Sequence, residues 1–347
     1  MYRKIRSHIK EYQRKFGKKI LDKKKKNIEV DFKDIKKILF IRYDGKIGDY
    51  MVSSFIYREI KKQRPDIQID VVGINKNESL FLKNKNIDHF YKLKKTKYRY
   101  LYALAKKLRK ENYDILIDPT EVLKNKDLFF IREVNAKVNF GYAKENYKIF
   151  SKNIEKNEKH ITEVYKMILE ELGFKNISTT YDIPMDEISD KEVEKFLKEN
   201  NVGSAIVVNL FGAKKRTKFT YEKSLELLRI ILNHRGTSKV ILLYSPAEKE
   251  VLEKLITEIN DENLIYYNKS KTIFDSVSII KRGQLVISPD TSIVHIAEGL
   301  NKRIITFYTS SDNDFAKWKI QDGNNQVIRC NDVNDIDFNE IILSNQF

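Results

Sequence analysis

The sequence predicts an α/β protein with two successive Rossmann-like domains, each built on a mainly parallel sheet, and a basic helix ahead of them. Three observations carry this reading. At 347 residues the chain is too long for one ordinary core, so two domains are expected. From Lys36 onward, short apolar runs alternate with segments of helical spacing, the pattern of strands joined by crossover helices. In each half an apolar run ends in a polar turn before a helix, which is where such sheets collect ligands. A hydrophobic fraction of 41%, with 19 Phe and 19 Tyr, is enough to fill two cores.

Residues 1–35 form a basic amphipathic segment. Tyr2, Ile5, Ile9, Tyr12, Phe16 and Ile20 recur at helical intervals. Over residues 1–26, Arg3, Lys4, Arg6, Lys10, Arg14, Lys15, Lys18, Lys19 and Lys23 to Lys26 face only Glu11 and Asp22. Much of the net charge of +17 therefore sits here. Such a helix suits the anionic inner face of the cytoplasmic membrane, its aromatic stripe lying in the interface. The alternatives are a helix packed on the protein's own body and a frayed basic tail.

The first domain is expected over residues 36–178. Ile38-Leu39-Phe40-Ile41 reads as a buried strand, followed by the loop Arg42-Tyr43-Asp44-Gly45-Lys46-Ile47-Gly48-Asp49 and an apolar helix from Tyr50 to Ile60. The loop's two glycines allow a tight turn. It is not GxGxxG, which disfavours a dinucleotide site. Strands follow at 67–73, 87–91, 113–119 and 138–142, with helices at 98–111 and 162–172, the last ended by Gly173.

Residues 179–200 read as a linker and connecting helix, and 201–335 as the second domain. Its strands are expected at 205–211, 239–244, 264–267, 285–288 and 303–308, and its helices at 222–232, 248–259, 273–281 and around 296–300. The first strand leads into the basic loop Gly212-Ala213-Lys214-Lys215-Arg216-Thr217-Lys218. A final helix within 336–347 is expected to pack across a cleft between the domains. Within this domain, Leu285 to Ala297 changes from strand-like to helix-like through Pro289-Asp290-Thr291-Ser292. A strand delivering small polar groups to a helix N-terminus is a place to hold phosphate, because oriented N–H groups and the helix dipole favour an anion there.

Composition narrows the setting. Cys330 is the only cysteine, so neither an intrachain disulfide nor a cysteine metal cluster can form. There is no apolar run near the ~20 residues of a membrane span, and no apolar secretory leader. The expected location is cytoplasmic, peripheral on the inner membrane face. No His/Asp/Glu cluster has metal-ligand spacing. The positive charge would also suit a nucleic-acid binder, but no nucleic-acid module is recognisable and the basic residues concentrate outside the two sheets, so nucleic acid is not an expected partner.

Four motifs, in order, resemble glycosyltransferase family 9, the lipopolysaccharide heptosyltransferase family. They are Arg42-x-Asp44-x-x-x-Gly48-Asp49, similar to that family's Arg-x-Asp-x-x-Gly-Asp loop with one residue inserted; Tyr113 to Asp118; the Gly212-Ala213 turn with its basic loop; and Asp290-Thr291-Ser292-x-x-His295 with Ala297. Weaker agreement at Ser245-Pro246-Ala247-Glu248 extends the match over roughly residues 36 to 345. The chain departs from the family at Ser292, Tyr244 and Thr309, each where the family has Gly, and at Arg303, where it has Pro. The family's Lys-x-Trp-Pro segment appears as Thr217-Lys218-Phe219-Thr220, which leaves Lys215, Arg216 or Lys218 to supply the phosphate-facing charge.

The resemblance implies a GT-B fold and inverting, metal-independent transfer of heptose from ADP-heptose to a lipopolysaccharide core or another anionic lipid-linked or glycan acceptor, with no cofactor. The departures around the donor turn leave a different nucleotide-sugar donor as the alternative, followed by a non-catalytic homologue. Sugar transfer needs a base for the acceptor hydroxyl and stabilisation of the leaving diphosphate. Asp49 resembles the family's base; capping of the following helix is the other reading. Asp290 resembles the residue that contacts donor hydroxyls, and His295 the one near the phosphates, unless it is only structural. Thr291 and Ser292, with Gly212, Lys215, Arg216, Thr217, Lys218 and Tyr244, complete the donor side. Arg42, Asp44, Gly48, Asp118 and Glu121 are assigned to the acceptor side; for Arg42, a salt bridge to a neighbouring aspartate is the equal alternative.

Overall fold

The computed structural model describes residues 12, 14–24, 30–43, 45–93, 97–309, 311–321, 323 and 325–338. The chain divides into two compact units, Met1–Thr179 and Thr180–Phe347.

The first unit carries β1 (Lys37–Arg42), β2 (Gln68–Gly73), β3 (His89–Lys92), β4 (Ile115–Asp118), β5 (Val138–Tyr142) and β6 (Lys152–Ile154). They form one six-stranded sheet in the order β3-β2-β1-β4-β5-β6, and every neighbouring pair is parallel. The second unit carries β7 (Ala205–Asn209), β8 (Lys239–Leu243), β9 (Leu264–Tyr266), β10 (Leu285–Pro289), β11 (Arg303–Tyr308) and β12 (Gln326–Arg329). Its sheet runs β12-β11-β10-β7-β8-β9, again parallel throughout. Counted from each unit's first strand, both orders are the doubly wound arrangement. The strand order reverses between β1 and β4 in one unit and between β7 and β10 in the other.

Ile38, Leu39, Phe40 and Ile41 of β1 are almost fully buried, as are Ile206, Val207 and Val208 of β7. Helices cover both faces of a parallel sheet, which is why these strands read as unbroken apolar runs. On the second sheet the helix Tyr221–His234 starts at Thr220, whose hydroxyl accepts the Lys223 N–H at 3.2 Å, and it buries Leu225, Leu227, Leu228 and Ile231. The helix Ile161–Glu171 ends before Gly173, which holds φ +98°, where a side chain would be strained.

The expected helix from Tyr50 to Ile60 is in fact two, Ile47–Met51 and Phe55–Gln63. The hydroxyls of Ser53 and Ser54 bond back to the carbonyls of Asp49, Tyr50 and Met51 and interrupt the helical ladder. Elements absent from the sequence reading include the helix Asn125–Val134, which opens at Lys124 without a Ser, Thr, Asp or Asn N-cap, and the short edge strands β6 and β12. The connecting helix, Glu187–Glu199, belongs to the second unit, where Asp190 pairs with Lys281 and Arg282 of the helix Ile273–Arg282.

In the basic N-terminal segment, residues 14–21 are helical. One side of this helix lies on the first unit. Leu21 packs against the core, the Lys18 ammonium sits 4.2 Å from the centre of the Tyr147 ring, and the following Asp22 accepts the Ile149 N–H at 2.9 Å. Tyr12, Phe16 and Ile20 are 73%, 59% and 49% exposed. The remaining residues of the segment, 1–11, 13 and 25–29, lie outside the described residues. So does the expected C-terminal helix beyond Phe338; Phe338 itself is buried within the second unit, its ring 5.7 Å from that of Phe219 and 6.0 Å from that of Phe307. Among the described residues, no helix is long and apolar enough to cross a membrane.

Candidate functional site

A doubly wound sheet opens a crevice at the carboxyl ends of its strands where the strand order reverses. The loops after β1 and β4 flank that point in the first unit, and those after β7 and β10 flank it in the second. These loops carry nearly all the residues singled out by the sequence.

In the second unit β10 ends in Pro289, Asp290 turns the chain, and the helix Ser292–Gly299 begins. Thr291 is its N-cap, accepting the Ile293 N–H at 3.2 Å. Ser292 opens the helix, so its N–H belongs to the set that a helix leaves for another partner. The turn is held from below by polar strand ends. Asn209, the last residue of β7, donates to Ser288 Oγ at 2.9 Å and Thr291 Oγ1 at 3.3 Å. Asp290 is tied to β11 through its N–H, which donates to the Phe307 carbonyl at 3.0 Å. Burial pushes the Asp290 carboxyl above its ordinary value, while His295 and Lys214 act in the opposite sense. Lys214, Asn209 and Ser288 were not among the residues assigned from sequence. A polar residue closing a buried strand was the available signal for the last two. His295 lies one turn into the helix and is only 4% exposed.

The loop after β7 is pinned at Gly212. A Cβ there would stand 2.1 Å from the Thr217 carbonyl oxygen, so only glycine permits the approach. Thr217 is buried, and its hydroxyl accepts the Lys214 N–H at 3.1 Å and donates to the Lys214 carbonyl at 2.9 Å. This hydroxyl shapes the loop. Lys215 and Arg216 are exposed on the same short turn, and the Lys218 ammonium lies 5.3 Å from the centre of the Phe211 ring. Tyr244 is turned into the core, its hydroxyl donating to the Tyr267 carbonyl at 3.1 Å.

In the first unit Asp49 is the third residue of the helix Ile47–Met51, whose N-cap is Lys46. A carboxylate in a first helical turn is favoured by the dipole, but here Asp49 is not the cap. Lys46 Nζ lies 3.9 Å from its Oδ2, a weak pair because Lys46 is 77% exposed. Gly48 precedes Asp49 in the same turn, and Asp44 lies outside the described residues. Arg42 is fully buried. It donates to Ser53 Oγ at 2.5 Å and to the Asp49 carbonyl at 2.8 Å, with Phe81 and Tyr165 beside its guanidinium. Its place is beneath the Asp49 turn. Ser53, the other half of this support, was not recognised from sequence.

Asp118 closes β4, is buried, and accepts from the Thr120 N–H at 3.1 Å and hydroxyl at 2.7 Å. Its Oδ2 is 3.9 Å from the ammonium of Lys144, a fully buried lysine just beyond β5 that donates to the Tyr142 carbonyl at 2.9 Å and to the Thr120 carbonyl. Burial pulls the Lys144 ammonium down. Asp127 is pushed up to about 6, chiefly by burial, with the charge of Asp118 adding to it and the Lys124 N–H opposing it. The Tyr43 hydroxyl, raised by burial and by both aspartates, has no hydrogen-bond partner among the described residues. Glu121 faces outward, 3.7 Å from Lys156.

The second unit thus offers a capped helix N-terminus with nearby lysines, suited to an anion, and the first offers a carboxylate on a supported turn, suited to accepting a proton. Asp-x-Asp sequences occur at Asp312–Asp314 and Asp335–Asp337, but among the described residues no group of three or more His, Cys, Asp or Glu is placed to hold a metal ion.

The sequence profile of glycosyltransferase family 9 (heptosyltransferase) matches residues 101–340. A protein of Escherichia coli K12, provisionally named lipopolysaccharide heptosyltransferase 4, is 25% identical over 318 residues, covering 89% of this chain and 85% of its own. Among solved structures, a family 9 glycosyl transferase from Veillonella parvula has a TM-score of 0.73 at 16% identity, with 91% of this chain and 92% of that one covered. E. coli heptosyltransferase WaaC, solved with ADP, has a TM-score of 0.67 at 15% identity, with 89% and 98% covered. These likenesses give the fold as GT-B. With two parallel six-stranded sheets and a profile match over more than half its length, the chain belongs to glycosyltransferase family 9, the heptosyltransferase family, and is a glycosyltransferase.

Proposed function

We propose that the chain is an inverting, metal-independent heptosyltransferase that moves heptose from ADP-heptose to a lipopolysaccharide core or similar surface-glycan acceptor. The observation that carries this is the donor turn at the second unit's switch point, where Thr291 caps a helix whose open N–H groups and neighbouring lysines suit a diphosphate. The relatives support it: one E. coli relative is named for lipopolysaccharide heptosyl transfer, and the WaaC structure contains ADP.

In this reading the acceptor hydroxyl oxygen attacks the anomeric carbon as the carbon–oxygen bond to the diphosphate breaks. The bonding pair leaves with ADP, and the acceptor proton passes to Asp49. Amide groups and Lys214, Lys215, Arg216 or Lys218 stabilise the developing charge. The basic N-terminal helix, with Tyr12, Phe16 and Ile20 outward, holds the enzyme on the anionic inner membrane surface where a lipid-linked acceptor is embedded.

The test is calorimetry of nucleoside diphosphates, followed by transfer assays in chelator. ADP binding in preference to UDP, GDP and CDP, with turnover that survives chelation, is expected. Preference for another nucleotide would move the reading to a different sugar donor, which the replacement of family glycines by Ser292, Tyr244 and Thr309 favours. Strict dependence on a divalent ion would remove the proposed mechanism.

A further inference from the structure

A second basic and aromatic surface lies on the helix Tyr98–Arg109, which follows β3. Between Asp88 and Glu111 the chain has no acidic residue, and its lysines and arginines are interleaved with Tyr98, Tyr100 and Tyr102. Leu101, Ala105 and Leu108 are buried and turn one side of the helix to the core. The helical repeat sets Tyr98, Tyr102, Lys106 and Arg109 in one row on the outward side, with Arg99 and Lys110 beside it. All six are exposed, the two tyrosines by 46% and 47%. None of these four cations makes an ion pair among the described residues, while the nearest acids along the chain, Glu111 and Asp114, are taken by Lys37 and Lys137.

Other exposed helices of this chain balance their charge. Lys198 is met one turn away by Glu194 at 2.6 Å, Lys195 by Glu199 at 3.9 Å, and Lys254 by Glu250 at 3.0 Å. The face of Tyr98–Arg109 has no such answer, so its positive field is open to an anionic surface. A tyrosine ring with an apolar body and a polar tip suits the headgroup level of a bilayer, and Lys and Arg on the same face can reach lipid phosphates.

The helix Asn125–Val134 joins this face to the basic N-terminal helix. On one side Phe129 stands edge-on to Tyr98 at 5.1 Å, and the Lys126 ammonium is 5.9 Å from the centre of the Tyr98 ring. On the other, Arg132 donates to the Ile20 carbonyl at 3.4 Å, and a Cβ on Gly17 would stand 2.1 Å from the Asn125 side-chain nitrogen. Two exposed aromatic and basic sets therefore flank one helix, which makes a broad face suited to a planar partner. Because Tyr98 opens the helix after β3, it lies at the carboxyl edge of the sheet, the edge that carries the Asp49 turn.

We propose that the outward face of Tyr98–Arg109 is a second membrane contact, which with the N-terminal helix lays the first unit on anionic phospholipid and brings the carboxyl edge of its sheet toward the headgroups. This rests on the membrane-surface part of the reading above and is independent of donor identity.

The test is co-sedimentation of the full chain with vesicles of phosphatidylcholine, alone or mixed equally with phosphatidylglycerol. Binding is expected to the mixed vesicles. Lys106→Gln, Arg109→Gln and Lys110→Gln together should weaken it by at least about tenfold, since each basic residue near such a surface contributes roughly fivefold. In Tyr102→Trp, the emission added to that of Trp318, the chain's only tryptophan, should shift to the blue on binding and be quenched by brominated phospholipid. An unquenched tryptophan there overturns the contact even where the charge variant binds less. Full binding by the charge variant, with binding lost when Tyr12, Phe16 and Ile20 are replaced by Ser, overturns this contact and leaves the N-terminal helix as the anchor. No binding by wild type removes the membrane reading and this contact together. Binding to single-stranded RNA in place of vesicles, lost in the charge variant, would assign the face to nucleic acid and overturn the proposal.

Discussion

Arg42 donates from Nη2 to the main-chain carbonyl of Asp49 at 2.8 Å, so a buried cation supports the residue assigned as the base through its backbone. Ser53 Oγ donates to the same carbonyl, also at 2.8 Å, and accepts from Arg42 Nη1. One guanidinium makes both contacts in a fixed plane, which a lysine ammonium cannot reproduce. Arg42→Lys is therefore expected to lower kcat by at least about tenfold, since displacing a reacting group by ~1 Å can cost ~10²-fold. ADP affinity should stay within about twofold, because Arg42 lies in the other unit. Equal losses in kcat and ADP affinity would count against a positioning role.

Asp49→Asn keeps the size of the side chain and removes its capacity to take a proton. Turnover is expected to fall by ~10²–10⁴-fold, with ADP binding unchanged. Steady-state transfer assays beside calorimetry check this, and wild-type turnover would leave Asp49 as a helix-turn residue only.

Thr291→Ala removes an N-cap and leaves Asn209 with one acceptor fewer. A loss of about 1 kcal/mol in stability is expected from the cap alone, together with weaker ADP binding. Thr291→Ser keeps the hydroxyl and should recover most of both. Denaturant unfolding and calorimetry on the two variants separate hydroxyl chemistry from side-chain volume.

Burial pushes the Asp127 carboxyl up to about 6 in the folded protein, against about 3.9 for an unfolded aspartate. Between those values the native state holds the extra proton, so this residue's contribution favours folding below about pH 4 and is lost as pH rises to about 6. Asp127→Asn is expected to be more stable than wild type at pH 7.5, by about 1–2 kcal/mol, and the difference should vanish near pH 4. Urea unfolding at the two pH values measures it, and an equal difference at both would remove the assignment.

Replacing Tyr12, Phe16 and Ile20 by Ser strips exposed apolar groups from the basic helix while leaving the Leu21, Lys18 and Asp22 contacts in place. Binding to vesicles containing anionic phospholipid should weaken with little change in melting temperature. Wild-type binding that is absent, or that ignores salt concentration, would remove the membrane assignment.

Most strands were legible because a parallel sheet covered on both faces needs continuous apolar runs, as in Ile38 to Ile41 and Ala205 to Val208. The edge strands β6 and β12 carry little of that pattern, and the helix Asn125–Val134 starts without a recognisable cap. The donor turn was legible from Asp290-Thr291-Ser292, because an N-cap is a local feature of the chain. By itself the sequence determined the repeated strand–helix units, the polar turns that end their strands and the basic amphipathic start, since all of these follow from residue spacing. Only tertiary structure decided that Arg42 lies beneath Asp49, that Tyr244 and Thr217 turn inward, and that Lys214 lies near Asp290. Those outcomes depend on which groups packing removes from water and which partners remain within reach, and spacing along the chain does not encode them.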